Sequence, residues 1–200
     1  MNNILDAAKF IADNYPVITK ESLGKLKLHH LLYCMQRESL AMYGKPAFKE
    51  DFEASDSGPI SPDVASHIKN GRLDVDAKPL SPELTEIARN VIRHYGGYAS
   101  WRLKELVREE YSCRHALISR KPGEKYPPVM QLSDIRKDAE AIRPYNPFLE
   151  MYYDELQGAA PDGPKDGKNP PLFNSFLDTA YGKSKDSSAE DAQNGKLKEQ

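Results

Sequence analysis

The chain has 200 residues, of which 39% are hydrophobic and 29% charged, with a formal net charge of −2 at pH 7. That length suits one core, or one core plus a tail, and argues against a second full domain. The charge balance offers no general attraction to phosphate backbones or anionic membranes, and no signal-like N-terminus or apolar run of the roughly 20 residues needed to span a bilayer is present, so a cytoplasmic protein is expected.

In chain order, Ile4, Leu5, Ala8, Ile11, Ala12 and Tyr15 recur at helical spacing, and Pro16 is expected to end that helix. The run from Ser22 to Tyr43 differs in having two apolar faces: Leu23, Leu26, Tyr33 and Cys34 on one, Leu28, Leu31, Leu32, Met35 and Met42 on the other. A helix of that kind must be covered on both sides, which makes it the centre of the fold. Lys25, His29, Gln36 and Tyr43 form a narrow polar stripe between the faces, expected to open toward solvent. Phe48 to Ala54 alternates as a short half-buried strand does, and Ser55-Asp56-Ser57-Gly58-Pro59 is dense in turn formers, so Ile60 begins a brief return strand.

Ser61-Pro62 and Ser81-Pro82 each join a capping hydroxyl to a proline suited to the first helical position. Two helices are expected there, a short one carrying Val64, Ala65 and Ile68 and a longer one carrying Leu84, Ile87, Ala88, Val91, Ile92 and Tyr95. Gly96-Gly97 is expected to close the second through a left-handed residue, and Ser100 to restart a helix through Trp101, Leu103, Leu106 and Val107 as the second arm of a helical hairpin. A short helix over Ser112 to Ser119, a proline-held loop over Lys121 to Pro128, and a last helix capped by Ser133 and ended by Pro144 complete the domain. From about Gln157 the composition turns to Gly, Pro, Asp, Lys, Ser and Asn, the signature of a tail. Within it Leu172, Phe173, Phe176, Leu177 and Ala180 suggest a short amphipathic helix over 171–181 that gains structure only against a surface. The fold class is therefore mainly α: a single helical domain over 1–156 around a central two-faced helix, with one short strand or hairpin, and a polar tail over 157–200.

Several residue groups invite a chemical reading. Cys34 and Cys113 stand far apart in helical patterns and read as small apolar side chains rather than a disulfide or zinc framework. His29 and His30 diverge by about 100° on a helix and cannot converge on one ion. Asp51, Glu53 and Asp56 lack an evident further ligand, and Glu109, Glu110 and His115 lack a nucleophile or oxyanion device. No catalytic residue, metal or cofactor is expected, and a recognition helix with clustered basic residues does not stand out, which argues against nucleic acid as a partner.

Three stretches together resemble the SocA-like antitoxin, or Panacea, domain. Leu26-Lys27-Leu28-His29-His30-Leu31-Leu32-Tyr33 is similar to its Lys-Leu-x-x-Leu-Leu-Tyr helix. Tyr43-Gly44-Lys45-Pro46, Phe48, Phe52-Glu53-Ala54 and Gly58-Pro59-Ile60 through Pro62 and Val64 are similar to its extended segment and Gly-Pro turn. Tyr95-Gly96-Gly97, then Ser100, Leu103, Leu106 and Glu109-Glu110, resemble its Tyr-Gly break and following helix. The resemblance covers roughly residues 4 to 143, with Ser55 and Ser57 standing where the family usually has aromatic residues.

The resemblance implies a type II antitoxin, bacterial or phage-linked as in the GepA-type proteins, that neutralises a toxin encoded nearby by direct protein contact. A proteolytic adaptor delivering its toxin to a Clp-type protease, and a metal-assisted hydrolase using Asp51, Glu53 and a histidine, stand as alternatives. For a binding protein, the aromatic and arginine side chains that anchor interfaces and the rigid Gly-Pro turn are the natural contacts. They select Tyr43, Phe48, Phe52, Glu53, Gly58, Pro59, Trp101, Arg102 and Phe176 as partner-binding candidates.

Overall fold

A computed structural model describes residues 3–69, 72–121 and 123–143. The chain divides into two units, Met1–Glu150 and Met151–Gln200; the tail, its helix over 171–181, Phe176 and Pro144 lie outside the described residues.

Helix α1 (Ile4–Thr19) opens with a capping box in which the Asn3 side chain accepts from the Leu5 amide and Asp6 reaches back to the Asn3 amide. Pro16 does not end it. A proline so near the C-terminus removes one backbone bond, to Ala12, and the helix runs on to Thr19 before Lys20 closes it in the left-handed conformation (φ 63°).

Helix α2 (Lys25–Tyr43) is the centre, and it is buried on every side rather than on two. Lys27, His29, His30, Gln36, Arg37 and Glu38 are all buried, so the polar stripe expected to face solvent faces protein instead, with Lys25 and Tyr43 exposed only at its ends. The reason is the number of neighbours that later helices and a hairpin supply. Gln36 is matched at both ends of its amide: Nε2 donates to the Phe48 carbonyl (3.3 Å) and Oε1 accepts from the Phe48 amide (3.0 Å).

That clamp explains the strand. The backbone from Phe48 to Phe52 is irregular, and the ladder begins only at β1 (Glu53–Ser55), which pairs antiparallel with β2 (Gly58–Ile60) in the register Glu53↔Ile60, Ala54↔Pro59 and Ser55↔Gly58. On the other edge of β1, Ala54 N donates to Pro128 O (2.9 Å) and Met130 N to Phe52 O (2.8 Å), so the proline-rich loop returns as an edge to the hairpin.

The serine caps form as expected. Ser61 starts α3 (Pro62–Ser66) by accepting from the Val64 amide, and Ser81 starts α4 (Pro82–Tyr95) by accepting from Leu84. α3 ends at Ser66, so Ile68, expected on that helix, instead opens a second, minimal hairpin of β3 (Ile68–Lys69) and β4 (Arg72–Leu73).

Gly96 closes α4 with right-handed angles (φ −61°, ψ −37°), not left-handed ones. Its requirement is closeness instead: a Cβ there would lie 2.9 Å from Thr19 Cγ2. Its carbonyl accepts from Lys27 Nζ (2.6 Å) and Tyr15 Oη (2.9 Å), so a buried cation from α2 caps the negative end of α4.

Helices α5 (Ser100–Arg108), α6 (Tyr111–Ser119) and α7 (Leu132–Glu140) follow. α4 packs on both α1 and α2, and α5 on α2, rather than on each other, so the expected helical hairpin is instead two helices flanking a common centre. α7 begins a residue before Ser133, with Gln131 at the N-cap. The core gathers Tyr15, Leu31, Leu32, Tyr33, Phe48, Phe52, Ile87, Ile92 and Leu103, all fully enclosed. Among the described residues no helix is long and apolar enough to cross a membrane.

Candidate partner-binding surface

The Gly-Pro turn is held from beneath by two histidines. His30 Nε2 lies 2.8 Å from the Ser57 carbonyl, and His29 Nδ1 accepts from the Ser61 amide at 3.2 Å. Ser55 Oγ accepts from the Ser57 amide and donates to the Gly58 carbonyl, tying the turn to itself. Gly58 sits at φ +95°, and a Cβ there would lie 3.0 Å from His30 Nε2 and 3.2 Å from Val107 Cγ2. Both backbone angle and space therefore call for glycine. The turn is rigid, but Gly58 and Pro59 are buried against α2 and α5, which leaves the platform to the neighbouring Asp56 rather than to them.

Burial, and secondly the neighbouring His30, pushes the His29 imidazole down to about 4. Its unfolded value is near 6.5, so below that pH the unfolded chain takes up a proton that the native site refuses. The stability contributed by neutral His29 is present above about pH 6.5 and lost as pH falls toward 4. Denaturant unfolding at pH 7.5 and pH 5 is expected to show the wild type losing about 2 kcal/mol more than His29→Gln, whose amide oxygen preserves the acceptor. Equal losses in the two proteins would contradict this assignment.

A second polar cluster lies at the far side of α2. Arg37 pairs with Glu110, sits 3.7 Å from Glu38 and donates to Tyr95 Oη (2.6 Å), which in turn donates to Glu38 Oε1 (3.0 Å). The Tyr33 hydroxyl lies 2.5 Å from Glu110 Oε2 and 3.1 Å from Asp138 Oδ2, with Ser112 Oγ at 3.0 Å. Burial first, then the Asp138 charge, raises the Tyr33 phenol well above its ordinary value. Asp138 also accepts from the Tyr111 and Ser112 amides (2.8 and 2.9 Å), so a carboxylate from α7 caps α6. Tyr33, Arg37, Glu110 and Asp138 thus join three helices through one network, and of the acidic pair Glu109-Glu110 only Glu110 is turned inward.

The candidates chosen from sequence fall into different places. Phe48 and Phe52 are each 1% exposed; they belong to the core, where the alternating pattern put the right residues inside but could not say that nothing of them remains outside. Glu53 is half-buried in β1 opposite Ile60. Tyr43 is exposed at the C-terminal end of α2, where partial burial and then Glu86 and Glu83 raise its phenol. Trp101, 65% exposed, and the adjacent exposed Arg102 stand on α5. Lys27, which reaches Gly96, and Tyr43 stand at opposite ends of α2, about 24 Å apart along the helix. A cleft of about 230 Å³ opens beside Gln36, Phe48, Asp51, Phe52 and Ile135.

Residues to which the sequence reading gave no role form an exposed surface on α6. Tyr111 stacks on His115 (centroids 5.2 Å apart, 12° between planes), Lys137 lies 4.4 Å over the Tyr111 ring, and Asp134 bonds both His115 Nδ1 (2.8 Å) and Lys137 Nζ (3.0 Å). Partial burial works against the Asp134 charge, but the bonds from Lys137 and His115 outweigh it and hold that carboxyl below its usual range. The legible signal is a helix with Ser112, Cys113 and Ala116 inward and Tyr111, His115 and Ile118 outward.

Both cysteine thiols are buried and pushed up to about 11, chiefly by desolvation, which keeps them protonated at neutral pH. Among the described residues no group of three or more His, Cys, Asp or Glu is placed to hold a metal ion.

Residues 28–112 match the family model described as "Antitoxin SocA-like, Panacea domain". No curated protein and no solved structure matches the chain. The matched span runs from α2 through the buried Gly-Pro turn, α4 and α5 to the start of α6, which are the elements that carry the three resembling stretches. Over residues 28–112 this chain is similar to the SocA-like Panacea domain of antitoxins.

Proposed function

We propose that the protein is an antitoxin that neutralises a protein toxin by direct contact, covering or distorting the toxin's functional surface. The observation that carries this reading is the antitoxin-family match over residues 28–112. It is supported by the engagement of the two histidines: His29 and His30 hold the backbone of Ser61 and Ser57, which gives them a structural task in place of a chemical one. Of the anchors selected from sequence, Tyr43, Trp101 and Arg102 are exposed and available to a partner.

Contact of this kind buries roughly 800 Å² per partner, and nanomolar affinity corresponds to about −12 kcal/mol. Co-expression with the product of the gene adjacent to its own is expected to restore growth and to yield a complex that co-purifies. Restored growth with no complex, and with the toxin present at its full level, would overturn direct neutralisation.

A further inference from the structure

The outward face of α6 and the loop that leaves it combine three properties seldom found together on one solvent-facing element. The first is apolar exposure: on a 100° helical wheel Tyr111, Arg114, His115 and Ile118 share one face, opposite the buried Ser112, Cys113 and Ala116, and Ile118 is 81% exposed. Tyr126 in the following loop is 73% exposed. The second is charge: from Tyr111 to Lys125 the chain carries Arg114, Arg120, Lys121 and Lys125 against Glu124 alone, a balance of +3 in a chain whose total is −2. All four cations are exposed, and Glu124 is held by the Lys121 amide. The third is rigidity: the Tyr111–His115 stack is fixed by Asp134 and Lys137 from α7, and the Arg120 side chain is held by the Glu124 carbonyl (2.8 Å). A surface already locked in place loses little side-chain entropy when a partner binds.

We propose that this surface, centred on Ile118 and rimmed by Arg114, Arg120 and Lys125, is where the toxin docks, and that the toxin presents an acidic face with an apolar centre. The proposal rests on the antitoxin reading above and names the chemistry of its partner. Charge complementarity selects an acidic partner, since desolvated apolar contact at the centre supplies affinity and the cationic rim supplies steering and register. A single-stranded nucleic acid fits less well: the residue at the centre is aliphatic, the Tyr111 ring is engaged by His115 and Lys137, and the Tyr126 ring by Lys125. Nearly all of this surface lies beyond the span shared with the family, which ends at residue 112. Its specificity therefore belongs to this chain and not to the common domain.

The test uses the full chain and the product of the adjacent gene, with affinity measured by titration calorimetry at two salt concentrations. Ile118→Glu and the double variant Arg114→Glu with Arg120→Glu are expected to weaken binding by roughly thirtyfold or more, as hot-spot changes do, while thermal unfolding stays at the wild-type midpoint. The milder Arg114→Gln keeps the test informative if a reversal perturbs folding, and it should reduce the association rate and its salt dependence. Wild-type affinity in all of these variants, with Trp101→Ala alone breaking the complex, would overturn this surface and leave the antitoxin reading standing. No binding by the wild type would overturn both. Loss of self-association in the variants, or loss of binding to a single-stranded oligonucleotide probe that the wild type holds tightly, would overturn the acidic-protein assignment in favour of a second copy or a nucleic acid.

Discussion

Arg37→Ala is expected to lower folding stability by about 3–5 kcal/mol, the range for breaking a buried ion pair from one side. Arg37 is the cation of a cluster in which Glu38 and Glu110 are enclosed, and it also supplies the hydrogen bond that places Tyr95 Oη against Glu38. Removing it takes the cation away from Glu110 and from its contact with Glu38 where little water reaches, and Tyr33, which sits on Glu110 and Asp138, loses the geometry that lets one hydroxyl proton serve that site. Guanidinium unfolding curves measure the loss. The comparison that identifies the cause is Arg37→Met combined with Glu110→Gln, which removes charge from both sides and should recover at least half of it. A loss below about 1 kcal/mol for Arg37→Ala would mean that the cluster is wetter than its burial implies.

For Phe52→Ala the expectation is also a loss of about 3–5 kcal/mol, the range for emptying an aromatic site in a packed core. Phe52 is enclosed, its ring meets Tyr33 edge to face at 5.8 Å, and its carbonyl holds the Met130 amide, so the cavity would form where α2, β1 and the returning loop converge. Phe52→Leu, which keeps most of the volume, should cost far less. Measured beside affinity for the toxin, this variant separates two roles. A core residue lowers the midpoint of unfolding and leaves the affinity of the folded fraction unchanged. Abolished binding with stability within about 1 kcal/mol of wild type would return Phe52 to the interface.

The contrast between Phe52 and Trp101 shows what hydrophobic patterning can tell. Both are aromatic residues in amphipathic segments, and the alternation around Phe52 correctly turns it inward. Trp101 belongs to a helix whose buried side is set by Leu103 and Val107, which leaves its ring on the outer side. Periodicity assigns a face to each residue. It does not say how many faces of an element will be covered, and α2 is the case where that matters most. Its two apolar faces were legible, but the burial of His29, Gln36 and Arg37 between them depends on β2, α5 and α7, elements that arrive from elsewhere in the chain.

Local hydrogen bonds behave as the periodic ones do. Ser61 and Ser81 each accept from the amide three residues on, and the serine-rich turn before Gly58 closes between adjacent strands, so sequence by itself determined the starts of α3 and α4, the position of the hairpin and the mainly helical class. The groups that tertiary structure decided are those whose partners lie far along the chain. Lys27 caps α4 through Gly96, Asp138 caps α6, and Tyr33 is shared between Glu110 and Asp138. None of these pairs has a spacing that a helix or strand period encodes, and Lys27, Tyr33 and Asp138 find their matches only once packing has removed water from around them.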